Sequence, residues 1–130
     1  MLKNVELLIS EIAETDSRYS SQAYVFLLEA LAYTQKRFKV DHHVTSQELL
    51  KGIQHLLLRQ FGAMTLSVLN HWGIKSTEDF GCIVFNLVEK GVLSKTKEDD
   101  IAHFKNAFDF EQVFCVDYRR KFKRQVSRMR

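Results

Sequence analysis

S-T-E-D-F-G-C-I-V-F-N-L-V-E-K-G, residues 76–91, decides the fold. At about 100° per residue, Phe80, Gly81, Ile83, Val84, Phe85, Leu87 and Val88 cover roughly 200° of a helix surface. Only Asp79, Cys82, Asn86, Glu89 and Lys90 fall on the other face. A helix on the outside of a domain needs a narrower apolar stripe, so a helix over about 77–90 belongs at the centre. Ser76 or Thr77 is positioned to cap it, with Glu78 and Asp79 in the first turn where the dipole favours acids. Lys90-Gly91 ends it, with Val92 and Leu93 placed for a Schellman contact.

Helix signals continue on both sides. Thr45-Ser-Gln-Glu48 is a capping box that opens a helix through Leu49, Leu50, Ile53, Leu56, Leu57 and Phe61, stopped at Gly62. A shorter helix from Ala63 to Trp72 stops at Gly73. Leu2, Val5, Leu8, Ile9 and Ile12 step by three and four, predicting a helix over about 2–14. A further helix is predicted from Ser20 or Ser21 to about Arg37, burying Ala23, Leu27, Ala30, Leu31 and Phe38, with Tyr19, Tyr24 and Tyr33 flanking. Residues 39–44 read as a loop, or at most one short extended piece. Beyond Leu93, Thr96 is a candidate cap, with Asp99 and Asp100 early in a short helix carrying Ile101 and Phe104. Phe114, Tyr118, Phe122, Val126 and Met129 then recur at helical spacing. Gly52 and Gly81 sit inside helices, where each costs up to about 1 kcal/mol against alanine, and close helix packing would offset that. With no proline and no strand pattern longer than four residues, the chain reads as all-α. We expect a compact single-domain bundle of five or six helices, a helical domain over 1–118 followed by a basic tail over 119–130.

At 130 residues, 45% apolar and 27% charged, the chain has the make-up of one globular domain. It contains no apolar run long enough to span a bilayer. Cys82 and Cys115 are too few for a disulfide framework and read as packing residues. Glu6 and Glu11 interrupt the N-terminus, which therefore lacks a signal-peptide core. A cytoplasmic location follows. The net charge of +3 is segregated: residues 119–130 carry seven cations and no acid, whereas residues 1–118 carry a net −4.

Several motif readings are weaker than they look. Asp79-Phe80-Gly81 matches a kinase triplet by letters, without the loop, Lys–Glu pair or catalytic loop that kinase chemistry needs. Residues 64–88 read as helix, turn, helix, but the second helix would present Thr77, Glu78 and Asp79 to phosphates, which repels DNA. Asp41, His42 and His43 form no metal-ligand spacing, and His55, His71 and His103 have no partner by spacing, so neither a metal nor a cofactor is expected. No nucleophile or phosphate-binding motif occurs, and no catalytic residue is singled out.

D-S-R-Y (16–19) with A-Y-V-F (23–26), H-V-T-S-Q-E-L-L-K-G-I (43–53), the stretch W-G-I-K-S-T-E-D-F-G-C-I-V-F-N-L-V (72–88) and F-D-F (108–110) together resemble the Minf-type family of small bacterial conserved hypothetical proteins. The resemblance covers roughly residues 5–114. It implies a bacterial cytoplasmic origin and carries no activity, cofactor or catalytic residue. Family members tend to have glycine where Ser46 stands and proline where Ala63 stands, and the tail beyond Tyr118 lies outside the pattern.

The functional expectation is a non-enzymatic binding or interaction module. Its contact residues are Arg119, Arg120, Lys121, Lys123, Arg124, Arg128 and Arg130, interleaved with Tyr118 and Phe122. Such an arm suits RNA, the ribosome or an acidic protein partner. The same cations would also suit an anionic membrane surface. The alternative is a small enzyme with a polar site near His43 and the Asp79, Asn86 and Glu89 helix face. A third reading is a homodimer paired through exposed apolar residues.

Overall fold

A computed structural model describes residues 2–39, 43–94 and 101–129, and among these there is no strand. The chain is all-α. Among the described residues six α-helices occur in order: α1 (Leu2–Thr15), α2 (Ser21–Arg37), α3 (Ser46–Phe61), α4 (Thr65–Trp72), α5 (Thr77–Glu89) and α6 (Tyr118–Arg128). Short 3-10 turns cover Gly62–Met64 and Ile101–Phe104, and a π-helical segment, Gln112–Asp117, leads into α6. The proposed Thr96 cap, and the turn holding Asp99 and Asp100, lie outside the described residues. So do Asp41, His42 and Arg130.

The start signal of α3 and the stop signals after α4 and α5 operate as written in the sequence. The Thr45 hydroxyl accepts from the Glu48 amide at 3.1 Å, and the Glu48 carboxylate accepts from the Thr45 amide at 2.9 Å. Val92 N–H donates to Leu87 C=O at 2.9 Å and Gly91 N–H to Val88 C=O at 3.0 Å, closing the Schellman turn after α5. Gly73 has φ +85°, and a Cβ there would sit 2.0 Å from the Arg18 carbonyl oxygen. That position therefore requires glycine on both counts.

α5 is central. It packs against α1, α2 and the Ile101–Phe104 turn, while α2 lies along α3. Phe80, Ile83 and Leu87 are fully enclosed, and within α5 only Phe85 and Glu89 are exposed. Both interior glycines mark close packing: a Cβ on Gly52 would lie 1.7 Å from Thr34 Oγ1, and one on Gly81 2.9 Å from the Phe104 ring. Phe104 fills the space that Gly81 leaves.

Three details differ from the sequence reading, and one open alternative is resolved. Tyr19, in the α1–α2 turn, and Tyr24, on α2, are core residues rather than flanks, because α5 packs against both through Asp79 and Asn86. Phe38 and Phe85, at the ends of their apolar arcs, stay 38% and 46% exposed, Phe38 meeting the His55 ring of α3 edge-on at 5.7 Å. The Ser20 hydroxyl makes no capping bond; α2 starts with the Ser20 carbonyl accepting from Ala23. Ser76 rather than Thr77 caps α5, since the Thr77 hydroxyl is committed to the Phe104 carbonyl and the Ala107 amide.

Phe108, Phe110 and Phe114 fold back onto Phe80, with ring centroids 5.6–5.9 Å apart in tilted and edge-on pairs. Phe26, Phe61 and Trp72 form a second aromatic group at 5.2–6.4 Å. These contacts join segments distant in sequence and complete the core at both ends.

Candidate functional site

α6 grows from Phe114, which is buried in the aromatic cluster. Asp109 caps the approach: its carboxylate accepts from the Gln112 amide at 2.9 Å and its carbonyl from Val113 at 3.0 Å. From there Tyr118, Phe122, Val126 and Met129 keep within roughly 80° of the helix surface. Arg119, Arg120, Lys121, Lys123, Arg124 and Arg128 fan over roughly 200° of the remainder. Residues 119–129 are all exposed, Phe122 at 53% and Met129 at 83%. The helix meets the body at the Gly62–Met64 turn, and the rest projects.

None of these six cations makes a salt bridge among the described residues. Under the start of α6 lies a cavity of about 330 Å3, walled by Ala63, Leu66, Phe114, Tyr118 and Phe122, with Arg119 and Lys123 at its edge. Tyr118 and Phe122 lie near-parallel, 17° apart in plane and 6.3 Å between centroids. Six of the seven expected contact residues thus share one helix; Arg130 lies outside the described residues.

The enzyme reading requires Asp79, Asn86, Glu89 and His43 to converge. The structure brings only two of them into one polar cluster. Asn86 Nδ2 donates to Asp16 Oδ2 at 2.9 Å and to Tyr24 Oη at 3.0 Å. Arg18 holds the same Asp16 carboxylate through Nε and Nη2, at 2.9 and 2.7 Å, and its guanidinium lies 5.0 Å from the Tyr19 ring centre. Tyr19 Oη donates to Asp79, whose other oxygen accepts from the Lys75 and Ser76 amides at 2.7 and 3.2 Å. The α1–α2 turn is thereby tied to the first turn and the middle of α5. Glu89 is exposed, and His43 lines a separate cavity of about 270 Å3 with Leu27, Leu49, Val84 and Val88.

Electrostatics fix the protonation of this cluster. The hydrogen-bonded Arg18 guanidinium holds the Asp16 carboxyl well below the usual range, against a smaller opposing effect of burial. Burial, reinforced by the bond to Asp79, pushes the Tyr19 phenol up, and burial also raises Tyr24. Near neutrality Asp16 is therefore an anion and both tyrosines are neutral, so these three groups exchange no proton there. They lock the turn onto α5.

A pH dependence follows. A carboxylate depressed on folding stabilises above its unfolded value of about 3.9, and that contribution disappears as pH falls through the folded value. Asp16→Asn is expected to be less stable than the parent at pH 7, with the gap in thermal midpoint closing as pH is lowered from 5 toward 2. Parallel acid limbs for the two proteins would contradict the assignment. Tyr19 works in the opposite direction: its stabilisation is complete below about pH 10 and is lost as pH rises further.

Among the described residues no three His, Cys, Asp or Glu side chains gather as a metal-binding group, and no helix is long and apolar enough to cross a membrane. Sequence reasoning missed the Asp16–Arg18–Tyr19–Tyr24 part of the cluster, whose partners in α5 are 60 or more positions away. It also missed the cavity beneath α6. The i, i+4 repeat of Phe114, Tyr118 and Phe122 was the available signal for a helix whose apolar side faces the body.

The fold and its surface define a class, a small all-α domain that carries a cationic C-terminal helix. Compared with known proteins, the chain matches no family model, and no curated protein or solved structure matches it.

Proposed function

We propose that the protein is a non-enzymatic RNA-binding module that grips the phosphate backbone with α6. The observation that carries this reading is the set of six exposed cations on one helix, none in an ion pair among the described residues. Cations with no ion pair among the described residues engage phosphates without breaking one there, and each phosphate contact releases condensed counterions. The net −4 of residues 1–118 repels a polyanion, which directs contact to the arm. Cations at the C-terminal end also complement the helix dipole. An 11-residue helix is marginal in isolation, so a polyanion along its length would further order it. Ribosomal RNA is one source of such a backbone. The free thiols Cys82 and Cys115 suit a cytoplasmic setting, and the Minf-type resemblance suits a bacterial one.

The test is fluorescence anisotropy of a labelled single-stranded oligoribonucleotide with the full chain, at several salt concentrations. The parent is expected to bind with a log–log salt slope of up to about −4, given about −0.7 per phosphate on a single strand. Changing Arg119, Arg120, Lys121, Lys123, Arg124 and Arg128 to Gln is expected to cost at least roughly 100-fold at low salt while leaving circular dichroism of the body unchanged. Absence of RNA binding by the parent, or binding indifferent to the six changes, would overturn the reading. Retention of only an acidic protein would overturn it in favour of a protein partner.

A further inference from the structure

Resting on that reading, we infer that the arm selects unpaired RNA by seating one base in the cavity between α6 and the Gly62–Met64 turn. Three independent features converge there. The cavity, about 330 Å3, is at the lower end of the range for small-ligand sites, roughly 300–1,000 Å3, which suits one flat ring system rather than a base pair. Its walls supply what a base requires: the aliphatic side chain of Leu66 and the near-parallel rings of Tyr118 and Phe122. Phe122 is 53% exposed, so a large part of its surface is open to a ring from solvent.

The third feature is charge. Arg119 and Lys123, one helical turn apart, line the cavity, and among the described residues no acidic side chain lines it. Side chains at i and i+4 project to the same side, so phosphates flanking a seated base meet two cations at once. The occupant is thus flat, apolar on its faces and attached to an anionic backbone, which is the chemistry of a splayed nucleotide. In an A-form duplex the base faces are stacked and the deep groove is closed to side chains, so this seat serves only unpaired strands. Aromatic stacking tolerates any base, and no sequence preference is expected to come from it.

The experiment compares full-length parent with Phe122→Leu and Phe122→Ala. Each is titrated into one mixed-sequence oligoribonucleotide, as a single strand carrying 2-aminopurine and as its duplex. Phe122 is half-exposed and lies outside the buried core set, so the leucine variant keeps the fold and most of the apolar contact while removing the ring. The parent is expected to prefer the single strand by about ten-fold and to quench 2-aminopurine on binding. Phe122→Leu is expected to lose about ten-fold on the single strand, to lose the quench, and to bind the duplex unchanged. Equal parent affinity for both strands, or a Phe122→Leu protein that still quenches, overturns the base seat while leaving a salt-dependent backbone grip in place. If the parent binds neither RNA, the RNA reading fails and the seat with it. Binding to vesicles of anionic lipid in the absence of RNA binding has the same consequence.

Discussion

Gly52→Ala is expected to lower the free energy of unfolding by about 2–5 kcal/mol, one of the two largest effects of a single substitution predicted for this chain. Helix propensity alone points the other way, since alanine exceeds glycine by up to about 1 kcal/mol in a helix interior. Packing decides the sign. The added methyl would lie 1.7 Å from Thr34 Oγ1 and 2.9 Å from Thr34 Cβ, where α2 meets α3. Thr34 is wholly buried, and its hydroxyl donates to the Ala30 carbonyl at 2.7 Å. Moving it aside breaks that bond within the core, and moving α3 aside opens the helix pair. Urea unfolding followed by circular dichroism gives the measurement. Adding Thr34→Ala to the same chain is expected to restore part of the loss, because the hydroxyl goes while the 2.9 Å approach of Cβ remains. An unchanged or higher urea midpoint for Gly52→Ala would refute the close approach of α2 and α3.

Phe80→Ala is expected to cost about 3–5 kcal/mol and to lower the thermal midpoint by roughly 10–20 °C. Phe80 is 1% exposed, and its ring lies 5.8 Å from that of Phe110. Truncation leaves a void between α5 and the 108–114 segment, which Phe108 and Phe114 fill only by giving up their own contacts. Phe85→Ala, on the same helix but 46% exposed, is expected to cost under about 1 kcal/mol. The contrast tests the geometry directly. Similar losses at the two positions would show that α5 is not oriented with Phe80 inward.

The helix boundaries around α3 and α5 are legible because the interactions that set them are local. Thr45 and Glu48 find each other across three residues, and the turn after α5 closes within six. The breadth of the apolar arc in α5 likewise announced a buried helix. What such counting misses is the identity of the neighbour. Asp79, Cys82 and Asn86 form the polar face of α5 by periodicity, yet all three are half-buried. The α1–α2 turn lies over them, bringing Asp16, Arg18 and Tyr19 to meet Asp79 and Asn86. A face that reads as solvated in one helix becomes a polar joint when another element covers it. For the same reason Tyr24, read as a flank, is enclosed.

The contact surface divides the same way. The sequence by itself determined that seven cations fall within 119–130, that acids are absent there, and that Tyr118, Phe122, Val126 and Met129 share a helix side. Charge and periodicity are properties of the chain alone, independent of what it packs against. Only the tertiary structure decided that α6 leaves the body after its first turns, its cations in no ion pair among the described residues, and that Ala63 and Leu66 close a cavity against Tyr118 and Phe122. Those residues lie some 50 positions apart. Nothing in the spacing of either segment encodes the other, because their proximity is set by the path of the chain through α5 and the aromatic cluster between them.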